Sequence, residues 1–132
     1  MRLHLVICVG LVLLVLGCGG PPPAPPPLSA EGGLKELAEM YRYLDYSQLP
    51  PPKNVDQLFN EYAESLQTAL PRIQSGEYEM VWGVGFSKVA PSSSGVLAFE
   101  KKAATEGGAV LLRDGTVKQM TAQEFAAARQ RK

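Results

Sequence analysis

The sequence predicts an α+β fold: N-terminal amphipathic helices packed on a small three- to four-stranded antiparallel sheet, with a short C-terminal helix. Three observations carry that expectation. Apolar residues recur at helical spacing from Leu34 to Ala69. The period shifts to alternation after Gly76. An Asp-Gly pair, Asp114-Gly115, sits between two β-rich runs. At 132 residues the chain holds one small domain, with one modest core.

The first helix is expected from Leu34 to Tyr46. Leu34, Leu37, Ala38, Tyr41 and Leu44 form one apolar stripe, with Lys35, Glu36, Glu39 and Arg42 opposite. Leu49-Pro50-Pro51-Pro52 ends it. Asn54 then reads as an N-cap, with Gln57 as its capping-box partner. Val55, Leu58, Phe59, Tyr62, Leu66 and Ala69 give a second amphipathic helix, stopped by Pro71. Tyr78, Met80 and Trp82 alternate with Glu79 and Val81 and predict a strand that continues through Gly83-Val84-Gly85-Phe86, with Trp82 at the centre of the core. After the Pro91-Ser92-Ser93-Ser94-Gly95 loop, Val96 to Glu100 is a second strand. Ala109–Arg113 and Thr116–Met120 form a hairpin on a two-residue turn in which both Asp114 and Gly115 have positive φ. Thr121-Ala122-Gln123-Glu124 is a capping box. It opens a final helix through Phe125 and Ala128, with Arg129, Arg131 and Lys132 at its C-terminal end.

The N-terminus is expected to be a processed segment. Met1-Arg2-Leu3-His4 supplies a short positive region, and Leu5 to Leu16 an apolar run too short to span a bilayer. Val15-Leu16-Gly17-Cys18 resembles the lipobox of bacterial lipoproteins. That resemblance implies cleavage after residue 17, a diacylglyceryl group on the Cys18 sulfur and an acyl chain on its amine. Each buried methylene then contributes about 0.8 kcal/mol to membrane binding, so two or more chains hold the protein in place. Residues 1–17 read as signal peptide, 18–33 as lipidated cysteine and Pro/Gly-rich tether, and 34–132 as a single α+β domain. The proline block of 21–27 is a polyproline II spacer of roughly 20 Å between glycine hinges. Cys8 and His4 leave with the signal, so the mature chain has no free thiol, no disulfide and no histidine.

Charge and inventory narrow the chemistry. Lys+Arg and Asp+Glu both count 13, which gives zero net charge and no basic field for nucleic acid. Nor is there a polybasic membrane patch. Glu36 with Glu39, Glu61 with Glu64 and Glu77 with Glu79 have the spacing of solvated faces. Ser92–Ser94 have no histidine to activate them, leaving a Ser-Lys arrangement with Lys88 or Lys101 as the alternative. Gly83-Val84-Gly85 lacks the third glycine of a dinucleotide loop. No catalytic residue, metal site or cofactor is expected. Tyr41 belongs to the apolar stripe, Tyr43 lies off it and Tyr46 is near the helix end; packing is the expected role of at least two of the three, and Tyr43 and Tyr46 are the candidates for a partner surface.

Gly76-Glu77-Tyr78-Glu79-Met80-Val81-Trp82-Gly83-Val84, Val96-Leu97-Ala98-Phe99-Glu100-Lys101, the run from Gly107 to Lys118 and Met120-Thr121-Ala122-Gln123-Glu124-Phe125 together resemble small envelope proteins of planctomycete bacteria. The globular part of those proteins is akin to the C-terminal region of type II secretion pseudopilins. The resemblance covers residues 34–128. It implies a helix against a small antiparallel sheet and supplies no catalytic mechanism; here a lipid anchor stands where the pilin helix would be. The expected function is that of a membrane-anchored, non-enzymatic envelope lipoprotein facing the periplasm or exterior, presenting its module for protein contact or structural support. The alternatives are capture of a peptide or glycan in a groove beside Trp82 and the tyrosines, or an accessory role in a secretion or pseudopilus-like system.

Overall fold

The computed structural model describes residues 30–131. The segment expected to be a signal peptide, the expected lipidation site Cys18 and the proline block lie outside the described residues. The elements run α1 (Ala30–Tyr46), α2 (Val55–Tyr62), α3 (Ala69–Gln74), β1 (Tyr78–Met80), β2 (Val96–Glu100), β3 (Gly108–Leu112), β4 (Val117–Met120) and α4 (Ala122–Arg129), with 3-10 turns at Ala63–Ser65, Ser92–Ser94 and Lys101–Ala104. The strands form one antiparallel meander in the order β1-β2-β3-β4. The chain is therefore α+β, with helices on a four-stranded antiparallel sheet and a short helix at the C-terminus.

The stripe expected on α1 is its buried face. Leu34, Leu37, Ala38, Tyr41 and Leu44 are all buried, joined by Met40. The helix begins earlier than expected, because the tether boundary at residue 33 runs into its first turn. Gly33 is no hinge. It is buried, and a Cβ there would lie 2.7 Å from Tyr78 Cε2 and 3.1 Å from the Ala69 Cα. The glycine lets the Tyr78 ring and α3 approach α1 closely, and the Tyr78 hydroxyl donates to the Ala30 carbonyl.

The second helix expected over 55–69 is two helices. Asn54 caps α2 as expected, its Oδ1 accepting from the Gln57 N–H at 2.8 Å, while the Gln57 side chain accepts from Lys53 N–H, one residue before the cap, at 3.1 Å. The chain then breaks, and α3 starts at Ala69. The break is compensated from a distant helix: Glu36 Oε2 accepts from Thr68 N–H at 2.8 Å and from Ala69 N–H at 2.9 Å. Glu36 is thus a cap for α3 and no solvated partner of Glu39. Pro71 does not stop this segment. It sits in the first turn of α3, where a missing N–H leaves no hydrogen bond unmade.

β2 and β3 are buried along their whole length because both faces of the sheet are covered. Ala109 and Leu111 pack with α1 in one cluster. Val110 and Leu112 pack with Phe99, Phe125 and Ala128 in the other. Two residues of β2, Leu97 and Ala98, face the α1 cluster in succession where the register slips between Val96 and Ala98, as a bulge requires.

Two expectations for the strands need correction. β1 ends at Met80 rather than running to Phe86. Val81 N–H still donates to Leu97, at 2.8 Å, but Gly83 then adopts a φ of +72° and donates to Pro52 at 2.9 Å, turning the chain away. Trp82 is consequently half-buried at the rim, and Tyr78, 2 % exposed, occupies the central place. The hairpin turn has three residues, not two. Leu112 N–H donates to Thr116 at 2.8 Å, and Gly115 N–H to Leu112 at 3.0 Å. Of the turn residues only Gly115 has positive φ, at +89°, which is the glycine-bulge form of the loop. Asp114 Oδ1 instead accepts from Thr116 N–H at 2.8 Å, a bond that holds the turn without a left-handed aspartate.

The capping box of α4 is complete: Thr121 Oγ1 accepts from Glu124 N–H at 3.2 Å and Glu124 Oε2 from Thr121 N–H at 2.8 Å. Those bonds to Thr121 hold the Glu124 carboxyl below its ordinary range.

Tyr41 offers a test of the core. Its hydroxyl is buried without a hydrogen-bond partner among the described residues, and burial pushes its pKa up. Removing an unpaired hydroxyl from such a site removes a desolvation penalty. Tyr41→Phe should therefore raise stability by about 1 kcal/mol, seen as a higher urea midpoint at unchanged slope. A lower midpoint would show that the hydroxyl is engaged.

Candidate functional site

Two surfaces stand out. The first is the C-terminal end of α1. The helix closes with Leu49 N–H donating to Leu44 at 2.9 Å and Gln48 N–H to Asp45 at 3.2 Å, with Gln48 in the left-handed region at φ +56°. This is a Schellman closure with glutamine where glycine is usual. It leaves Tyr43 58 % and Tyr46 91 % exposed, so of the three tyrosines only Tyr41 packs, where the sequence predicts packing for at least two. Leu49 and Val89 are exposed as well, and Lys88 approaches Asp45 at 3.9 Å, bringing the loop after β1 beside the helix end. Tyr62 lies close enough to interact with Tyr43; its phenol pKa is raised by burial first, then by Glu61 and Tyr43.

The second surface is the β1 edge of the sheet. A groove of about 740 Å³ lies between β1 and the α2–α3 pair, with Phe59, Ile73, Met80 and Trp82 as apolar walls and Asp56 as the acidic side chain on that face. A groove of about 940 Å³ lies on the other face, over Phe99 and Phe125. The Arg129 guanidinium sits 5.0 Å and 5.9 Å from the centres of those two rings, a cation–π arrangement that forms part of the groove wall. Gly76 and Glu79 line both grooves, so the two flank the same edge strand. The sequence placed Trp82 at the core and offered as an alternative a groove beside Trp82 and the tyrosines; Trp82 and Tyr78 do line this groove, whereas Tyr41, Tyr43 and Tyr46 do not.

The other candidates are held apart from any common site. Ser94 Oγ donates to the Pro91 carbonyl at 2.9 Å, and Lys88 is drawn toward Asp45. Glu77 pairs with Arg72 at 3.0 Å, and Glu39 with Arg42. Among the described residues, no group of three or more His, Cys, Asp or Glu is placed to hold a metal ion, and no helix is long and apolar enough to cross a membrane.

One polar residue escaped the sequence reading. Glu100 is 4 % exposed at the end of β2. Its Oε2 accepts from Ala109 N–H at 2.7 Å, and Lys102 Nζ lies 3.8 Å from Oε1. Gly108 makes room for it, since a Cβ there would lie 2.8 Å from Glu100 Oε2. The visible signal was a glutamate closing an apolar strand, with a Gly-Gly pair a few residues on.

Comparison of the chain with protein-family models, with curated proteins and with solved structures found no match.

Proposed function

We propose that this chain is a lipid-anchored envelope protein, held through Cys18, whose α+β module makes contact with another envelope protein and performs no catalysis. The observation that carries this reading is the polarity of α1. The segment leading from Cys18 joins the domain at Ala30, the N-terminal end of the helix. Tyr43 and Tyr46 stand at the other end, about 25 Å away along a helix of 17 residues. A module tethered at one end thus offers exposed aromatic side chains at the other. Tyrosine suits such a surface, since it brings contact area and a hydrogen-bonding tip at low entropic cost. Zero net charge and the absence of a basic stripe argue against nucleic acid as the partner.

Metabolic labelling with a palmitate analogue tests the anchor. The wild type should carry label and sediment with membranes; Cys18→Ala should carry none and become soluble. Label retained in Cys18→Ala would sink the anchor. A photo-crosslinking residue at position 46 should give a discrete adduct in cells, and an unreactive position 46 would argue against the tyrosine surface.

A further inference from the structure

We propose that the free edge of β1 takes up an extended peptide as a fifth strand, with an apolar side chain in the groove beside Phe59 and Trp82 and a basic side chain against Asp56. The backbone supplies the first part of the case. Lys101 N–H donates to Glu77 at 2.8 Å and Val81 N–H to Leu97 at 2.8 Å, so Glu77, Glu79 and Val81 address β2. By the alternation of an antiparallel ladder, Tyr78 and Met80 turn their N–H and C=O groups away from the sheet. β1 is the end strand, and among the described residues no strand pairs with that side.

The grooves supply the second part. Residues of an added strand directly opposite Tyr78 and Met80 place their side chains on the same face as those two, the face of the α2–α3 groove. Their neighbours point to the other face, over Phe99 and Phe125. One groove on each face of the edge is the arrangement strand addition uses: main-chain bonds give affinity and alternating pockets give specificity.

Charge selects the occupant. On the α2–α3 face the groove carries one acidic side chain, Asp56, and no basic residue lines it; Glu79, which alternates with Tyr78 and Met80 and pairs with Phe99, belongs to the other face. The α2–α3 groove suits an aromatic or aliphatic residue flanked at i−2 or i+2, on the same face, by lysine or arginine, and a peptide with lysine at both positions serves either strand direction. A second copy of this chain suits it poorly. Antiparallel pairing of β1 with itself, with Tyr78 opposite Met80, sets Glu79 directly against Glu79, and like charges there are unfavourable. The site is separate from the tyrosine surface, so either reading can fail without the other.

The test uses the full chain in detergent and a capped lysine–valine–phenylalanine–valine–lysine peptide. Trp82, the single tryptophan, reports binding through its emission. The expected result is a saturable shift that is lost when the phenylalanine amide is N-methylated and kept when the two valine amides are. Replacing both lysines with glutamate should weaken binding about tenfold, or 1.4 kcal/mol. No shift with the parent peptide would overturn the proposal, as would equal binding of the two methylated forms, which marks adsorption to an apolar surface. A dimer of the chain that the peptide dissociates would also overturn it, by showing that a second copy owns the edge.

Discussion

Glu100→Ala should cost the domain about 2–3 kcal/mol, while Glu100→Gln should cost less than about 1. The larger cost has two sources. Ala109 N–H, in a strand covered on both faces, would lose its carboxylate acceptor and stay out of water. A buried donor left unpaired costs about 1–3 kcal/mol, and bonds to charged acceptors stand at the upper end of the range. The lost side-chain volume adds to this, because Gly108 has no Cβ to fill the space. Glutamine keeps an acceptor oxygen and nearly the same shape. The contact with Lys102 decides little, since that side chain is 56 % exposed and such pairs contribute weakly. Urea unfolding of both variants gives the comparison. If glutamine were as damaging as alanine, the charge and not the hydrogen bond would be what stabilises the site.

Gly33→Ala should also destabilise, by about 1–2 kcal/mol, although it replaces glycine by the best helix former in a helix. Propensity alone would favour alanine by about 1 kcal/mol. Against that, the new methyl would lie 2.7 Å from Tyr78 Cε2, 2.8 Å from its hydroxyl oxygen and 3.1 Å from the Ala69 Cα. Overpacking of this kind costs roughly 1–3 kcal/mol, and the ring has little room to move. Its hydroxyl bonds the Ala30 carbonyl, and Arg72 lies over its face at 5.5 Å. Tyr78→Leu removes the ring edge, so the cost of Gly33→Ala should fall in that background, a coupling that a double-mutant cycle measures. A stability gain for the single variant would mean that α1 can slide away from α3 and β1 at small cost.

The parts of this fold that local chemistry controls were legible. The stripe on α1, the Asn54 and Thr121 caps, the position of β2 and the existence of the final hairpin follow from side-chain spacing and from groups within a few residues of one another. The exposure of Tyr43 follows the same way, as a position off the stripe, whereas that of Tyr46 depends on nothing packing over the helix end. The corrections cluster where distant residues meet. An acidic side chain on α1 caps α3, so the apolar run through Ala69 breaks into two helices. Pro52 takes the N–H of Gly83, so β1 stops short and Trp82 moves to the rim. Gly33 reads as a hinge until Tyr78 is seen against it.

The β1 edge shows the same division. Asp56, Phe59, Ile73, Glu79 and Trp82 carry no common spacing, and they gather around one strand because α2 and α3 pack beside it. Periodicity and capping residues in the chain settle that it forms helices then strands, since those preferences depend on neighbours three or four residues away. Which faces are covered, which edge is left open and which carboxylate is buried depend on contacts between residues far apart in the chain. Those contacts form only when the whole core closes, and their energies are not written into any local pattern.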